Sequence, residues 1–259
     1  MMTESQNLPE NADGDIVRPQ RPPRQRAFNI PSIVLLVSAV LVAIHLIRFY
    51  VLSAEQDIAL LVRAAFIPLR YTGGFDFDVF AVTSPFTYAL LHGGFEHLIV
   101  NLVWLVAFGS PLAQRFGGTR FLVFAAVSSL AAALLHFSFY SHDPSPLIGA
   151  SGAIAGMMGA AARFAFRVDR SQSLPRFSGP VLSISSVMRQ RGVLVFLGVW
   201  GVSNAVTGVY SATPDGGGIA WVAHVGGFLL GFFGVALFDP PNAAKTNLEM
   251  RADRAHHDG

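Results

Sequence analysis

Three short stretches of the chain hold residue types that can carry out acyl transfer. Residues 148–156 read IGASGAIAG, in which Ser151 is the one hydroxyl among small and apolar neighbours. Residues 223–231 read AHVGGFLLG and contain His224, and residues 92–101 read HGGFEHLIVN and contain His97 and Asn101. A serine becomes a nucleophile when an imidazole takes its proton, and the same ring later returns a proton to the leaving amine. His97 and Asn101 are four apart and therefore share one face of a helix. Both can donate the hydrogen bonds that an oxyanion requires, with the Ser151 backbone N–H as a further donor. Gly149 and Gly152 lie on either side of the serine and allow the backbone to approach a substrate. Gly152, Gly156 and Gly159, facing Gly227 and Gly231, suit the close helix contact that would carry His224 to Ser151.

Taken singly, each residue has a plainer reading. A serine among glycines in an apolar helix is more often a packing residue, and an isolated histidine more often a structural donor. His92 and His97 are separated as H-x-x-x-x-H, not as the i, i+4 pair of the H-E-x-x-H zinc motif, so no metal is expected. The chain has no cysteine, which excludes thiol nucleophiles, disulfides and zinc–thiolate sites. What decides between the readings is whether the elements carrying these residues bring them to one place.

Those elements belong in a membrane. Of 259 residues, 52% are hydrophobic and 13% charged, where a soluble domain carries about 25% charge. The composition, with 25 glycines and 22 phenylalanines, fits spans that pack closely and face lipid. Residues 1–28 read as a disordered polar tail, basic at its membrane-proximal end. Apolar segments near 20 residues long, enough for the ~30 Å hydrocarbon layer, run from about Ile33 to Tyr50, Phe95 to Gln114, Phe121 to Tyr140, Leu147 to Phe166, Val193 to Tyr210 and Ile219 to Phe238. Residues 53–84 carry too many charges to cross and read as an interfacial loop with short helices. The sequence therefore predicts an all-α, six-span membrane domain over 29–238, flanked by a polar C-terminal tail, 239–259.

With six spans both tails lie on one side. That side holds 15 of the 18 Lys and Arg residues, leaving Arg48, Arg63 and Arg70 opposite. By the positive-inside rule the tails are cytoplasmic. Spans two, four and six then enter from the outer side, and they place His97, Asn101, Ser151 and His224 at a similar shallow depth. Ionisable or polar groups within hydrocarbon are costly and usually face the bundle interior or a water-filled cavity.

By this point the residues resemble the rhomboid family of intramembrane serine proteases. The family's G-x-S-G motif is present at Gly149–Gly152, its final-span histidine and G-x-x-x-G at His224, Gly227 and Gly231, and its second-span signature at 92–101. The stretch FGSPLAQRFGGTRFL, 108–122, resembles the connection from the second span to the third. The resemblance implies a six-helix core with a Ser151–His224 dyad lacking a carboxylate, and His97 and Asn101 at the oxyanion positions. It implies an outward-opening cavity, no cofactor, and substrates that are transmembrane proteins cut near the outer edge of a span. The expected setting is an integral membrane protein of a prokaryotic inner membrane, in contact with lipids and with no nucleic-acid partner. Oligomeric state is not readable from the residues. The chain departs from the family at Ala155, where an aromatic four residues after the serine usually stacks against the histidine. An acidic residue usual before the third span is also missing, with Ala113 and Gln114 in that region. Ala155 keeps open an alternative, a catalytically inactive rhomboid-like protein that binds membrane clients. A transporter would call for paired intramembrane carboxylates or inverted repeats, which the sequence lacks.

Overall fold

The computed structural model describes residues 30–170, 174–211 and 221–241; the tails expected at 1–28 and, beyond 241, at the C-terminus lie outside them. Helix α1, Ser32–Tyr50, starts directly after Pro31, a residue suited to a helix entrance and not to its interior. The loop expected over 53–84 contains α2, Ala54–Ala64, a 3-10 turn at Pro68–Tyr71, and the start of α3, Val79–Thr87. A capping box begins α2: the Ser53 hydroxyl accepts from the Gln56 N–H, and the Gln56 side chain accepts from the Ser53 N–H. Asp78 caps α3 by accepting from the Ala81 N–H at 2.9 Å.

The second span is one apolar rod made of α4, Phe95–Trp104, a π turn at Leu105–Gly109, and α5, Ser110–Phe116. Gly117, at φ 79°, ends it and turns the chain into α6, Gly118–Phe139. Then follow α7, Ser151–Arg163; a two-residue antiparallel pair of β1, Val168–Asp169, with β2, Arg176–Phe177; the short α8, Ile184–Val187; α9, Arg191–Ser211; and α10, Trp221–Gly234, prolonged by a 3-10 turn at Val235–Leu237. Among the described residues, four helices are long and apolar enough to cross a membrane: Ser32–Tyr50, Phe95–Phe116, Gly118–Phe139 and Arg191–Val209. The chain is an all-α polytopic membrane protein.

The fourth expected span is shorter than the sequence suggests. At 13 residues, α7 rises only about 20 Å. It occupies the centre of the bundle, and every residue of α7 after Ser151 is buried. A helix buried on all sides needs no polar face, which is why its small and apolar residues run on without period.

Contact between α7 and α10 is backbone to backbone. A Cβ at Gly227 would fall on the Gly152 carbonyl oxygen, one at Gly231 on the Gly156 carbonyl, and one at Gly159 on the Phe228 carbonyl. Without a hydrophobic drive between helices in lipid, such close dispersion contact is what holds them together. At the far end of the pair, Arg163 donates from Nε to the Leu182 carbonyl at 2.8 Å and from Nη1 to the Phe232 carbonyl at 2.5 Å. Arg115 pairs with Asp239 through two bonds of 2.6 and 2.7 Å, donates to the Phe177 carbonyl, and lies 4.4 Å over the Phe164 ring. These two arginines therefore tie helix ends together, in addition to any part in the basic bias.

Candidate active site

The segment leading to Ser151 is held in an irregular shape by the loop before it. Phe66 and Leu147 exchange backbone hydrogen bonds of 3.2 and 2.8 Å, and the Gly149 N–H donates to the Tyr88 carbonyl at 3.0 Å. Tyr88 is itself fixed by its hydroxyl, which donates to the Ser129 carbonyl of α6. Gly149 sits at φ 119°, a value L side chains rarely adopt. The extended segment and this turn prevent a helix from forming across 147–150. Ser151 is thus the first residue of α7 and not one turn inside it, as the sequence had implied. Its N–H belongs to the first helical turn, whose N–H groups have no acceptor within the helix.

Three of the sequence-flagged side chains meet at this point. The Ser151 Oγ is 2.9 Å from His224 Nε2. His224 lies in the first turn of α10, and the backbone contact at Gly152 and Gly227 sets that distance. His97, in the first turn of α4, lies across Gly149: a Cβ on Gly149 would be 2.7 Å from His97 Nε2 and 3.6 Å from Ser151 Oγ. The Gly93 N–H points at His97 Nδ1 at 3.4 Å. With Nδ1 accepting, Nε2 carries the proton and presents a donor over the glycine. Gly149 is therefore the gap through which His97 and Ser151 face one another. Ser151, His97 and His224 are each partly exposed, whereas Gly149 and Asn101 are buried.

Asn101 is placed differently from His97. One turn deeper on α4, its amide nitrogen donates to the His97 carbonyl at 2.9 Å, which ties it to its own helix. Ala155 is buried beneath the serine, and among the described residues no aromatic ring stacks on His224. The nearby Trp200 and Phe228 stack on each other, with centroids 4.2 Å apart.

One residue at the site was not flagged by the sequence. Asn204, in the middle of α9 and 8% exposed, lies with its amide oxygen 3.1 Å from His224 Nδ1 and donates from its nitrogen to the Trp221 carbonyl at 3.2 Å. Its only sequence signal is a carboxamide within the apolar run GVWGVSNAVTGV, and an intramembrane polar residue of that kind is a candidate for function.

Comparison with known proteins gives these elements a lineage. The Rhomboid domain model matches residues 80–239, more than half of the chain. The chain is 39% identical over 70 residues to RHOMBOID-like protein 5 of Arabidopsis thaliana, covering 27% of this chain and 23% of the relative. It is 28% identical over 147 residues to the mitochondrial RHOMBOID-like protein 6 of the same plant, covering 55% and 39%. It is also 29% identical over 155 residues to Rhomboid protease GluP of Bacillus subtilis (strain 168), covering 60% and 25%. The chain thus spans well under half the length of each of these relatives. They come from a plant and a bacterium, so the likeness places the chain in a membrane without choosing which one. With the domain model matching from α3 to the end of α10, the chain belongs to the rhomboid family.

Proposed function

We propose that the chain is an intramembrane serine endopeptidase in which Ser151 is the nucleophile and His224 the general base and acid. The observation that carries this reading is the 2.9 Å approach of Ser151 Oγ to His224 Nε2, within the reach a proton transfer requires. Ser151 Oγ attacks the scissile carbonyl carbon while its proton passes to Nε2 and the carbonyl electrons move onto oxygen. That oxygen is received by the Ser151 N–H at the start of α7, where the helix dipole favours negative charge, and by His97 Nε2–H. Asn101 supports this side of the site through its hold on the His97 backbone. The imidazolium then protonates the amine as the C–N bond breaks, and water hydrolyses the remaining ester with His224 again as base.

The substrates are transmembrane segments of membrane proteins. A peptide bond inside a stable helix is shielded by its own hydrogen bonds, so cleavage requires a segment that unwinds at the site. The membrane domain spans about 29–238, and the basic bias of the flanking segments puts both tails in the cytoplasm and the Ser151 end on the opposite side. Similarity to a relative named a protease supports the same reading. The burial of alanine where the family usually has an aromatic favours the client-binding alternative, in which the histidine is held too loosely for catalysis. Incubating the purified protein in liposomes with a single-span reporter tests the choice. The protease reading expects cleavage by wild type and none by a folded Ser151→Ala; cleavage that persists in Ser151→Ala would refute it.

A further inference from the structure

Helices α9 and α10 run antiparallel and meet along a stripe three residues long on each. Trp200, Asn204 and Gly208 recur every fourth residue of α9 and face Phe228, His224 and Trp221 of α10 in turn. Trp200 stacks on Phe228 at 4.2 Å. Asn204 bridges His224 and the Trp221 carbonyl. A Cβ on Gly208 would stand 3.0 Å from the Trp221 indole, so the glycine there allows the ring to lie against α9. The opposite side of α9 faces outward, with Val195, Val199, Val202, Val206 and Val209 all more than 60% exposed. The one carboxamide on the inward stripe is the residue level with His224.

The direction of the Asn204 amide follows from its second partner. The Trp221 carbonyl can only accept, so the Asn204 nitrogen must face it and the amide oxygen must face His224. An oxygen can only accept, so His224 Nδ1 is the protonated nitrogen. Nε2 is then left with a lone pair aimed at the Ser151 hydroxyl, the tautomer that a general base needs.

We propose that Asn204 is a positioning residue for His224, making a Ser151–His224–Asn204 relay in which a neutral amide on α9 fixes the tautomer and orientation of the base. This rests on the protease reading of the same site. The amide performs the orienting role of the third member of a triad without adding a charge within the membrane span. It also does, through a hydrogen bond, what a stacked aromatic at position 155 would do by contact. As Ser151 gives up its proton, the Nδ1–H stays on the ring and its bond to Asn204 strengthens with the imidazolium charge. No atom of Asn204 is transferred. Because Asn204 sits on α9, an outward displacement of that helix withdraws the support from the base.

Two substitutions separate this role from plain packing. Asn204→Leu removes both hydrogen bonds, while Asn204→Asp keeps an acceptor for Nδ1–H and loses the donor to the Trp221 carbonyl. Reporter cleavage in liposomes should show kcat down about 10- to 100-fold in Asn204→Leu with KM nearly unchanged, the loss expected when one hydrogen bond to a charged ring disappears. Asn204→Asp should recover most of that kcat. Equal losses in both variants would make Asn204 a structural tether to Trp221 and overturn the proposal, as would a kcat in folded Asn204→Leu equal to wild type. The 15N shifts of the His224 ring in selectively labelled protein give an independent readout. Wild type should show a protonated Nδ1 and an unprotonated Nε2, and Asn204→Leu a mixture; a protonated Nε2 in wild type overturns the proposal even if a variant fails to fold. A wild type that never cuts the reporter overturns the protease reading alone, and the ring-nitrogen shifts then still decide whether Asn204 holds His224.

Discussion

Replacing Gly227 by alanine perturbs the distance on which the site depends. The new Cβ falls on the Gly152 carbonyl oxygen, and a carbon and a carbonyl oxygen in contact settle at about 3.3–3.6 Å. Neither atom is the end of a flexible side chain, so the overlap is relieved only by moving α10 away from α7, by roughly 1 Å or more. Gly227 is one turn from His224, and Gly152 is next to Ser151. The same movement therefore lengthens the 2.9 Å Ser151–His224 approach to about 4 Å, outside proton-transfer reach. A misplacement of about 1 Å is worth roughly 100-fold in rate, and overpacking a close contact costs about 1–3 kcal/mol of stability. Single-span reporter cleavage in liposomes, run beside thermal unfolding of the purified protein, measures both. Gly201→Ala serves as the control, because a Cβ there meets nothing within 4 Å; it should leave turnover intact and stability within about 0.5 kcal/mol. A folded Gly227→Ala that cleaves within about threefold of wild type, well short of one decade of rate, would refute the coupling of helix contact to chemistry.

Three further outcomes follow from the same geometry. Gly149→Ala combines a φ of 119° with a Cβ 2.7 Å from His97 Nε2, and reporter turnover should fall at least tenfold or so, the equivalent of about 1.4 kcal/mol. His97→Ala removes a donor over Gly149 and should lower kcat by about 100- to 1,000-fold with little change in KM, read from initial rates against reporter concentration. Asp239→Ala leaves the Arg115 guanidinium, 2% exposed as a side chain, without its carboxylate. A cost of about 3–5 kcal/mol should appear as a lower unfolding midpoint, with cleavage well below that temperature largely retained.

The sequence carried the features that are set by residue type and local period. Apolar run lengths located the helices to within a few residues at α1, α6 and α9, and the capping residues Ser53 and Asp78 sit where short helices begin in the interfacial loop. The start of α7 was less legible. Counting apolar residues from Leu147 puts Ser151 inside a helix, and the bridge from Leu147 to Phe66, a partner some 80 residues away, is what excludes it. Hydropathy also cannot show that α7 is short and central, because a buried helix and a lipid-facing one use the same residues. Arg115 and Arg163 count toward the basic bias in the sequence, yet both are buried and bonded to helix ends. The role argued for Asn204 depends on the rotation of α9 against α10. In the sequence it is one asparagine among valines and glycines, and nothing in its spacing points to His224, 20 residues on.

The most direct measurement of the central claim is the position of a covalent adduct. Purified wild type treated with a fluorophosphonate should gain one phosphonyl group, located by peptide mass on Ser151, and His224→Ala treated alike should gain almost none. Wild type that stays unmodified, or carries the adduct on another serine while Ser151 remains free, would contradict Ser151 as the nucleophile.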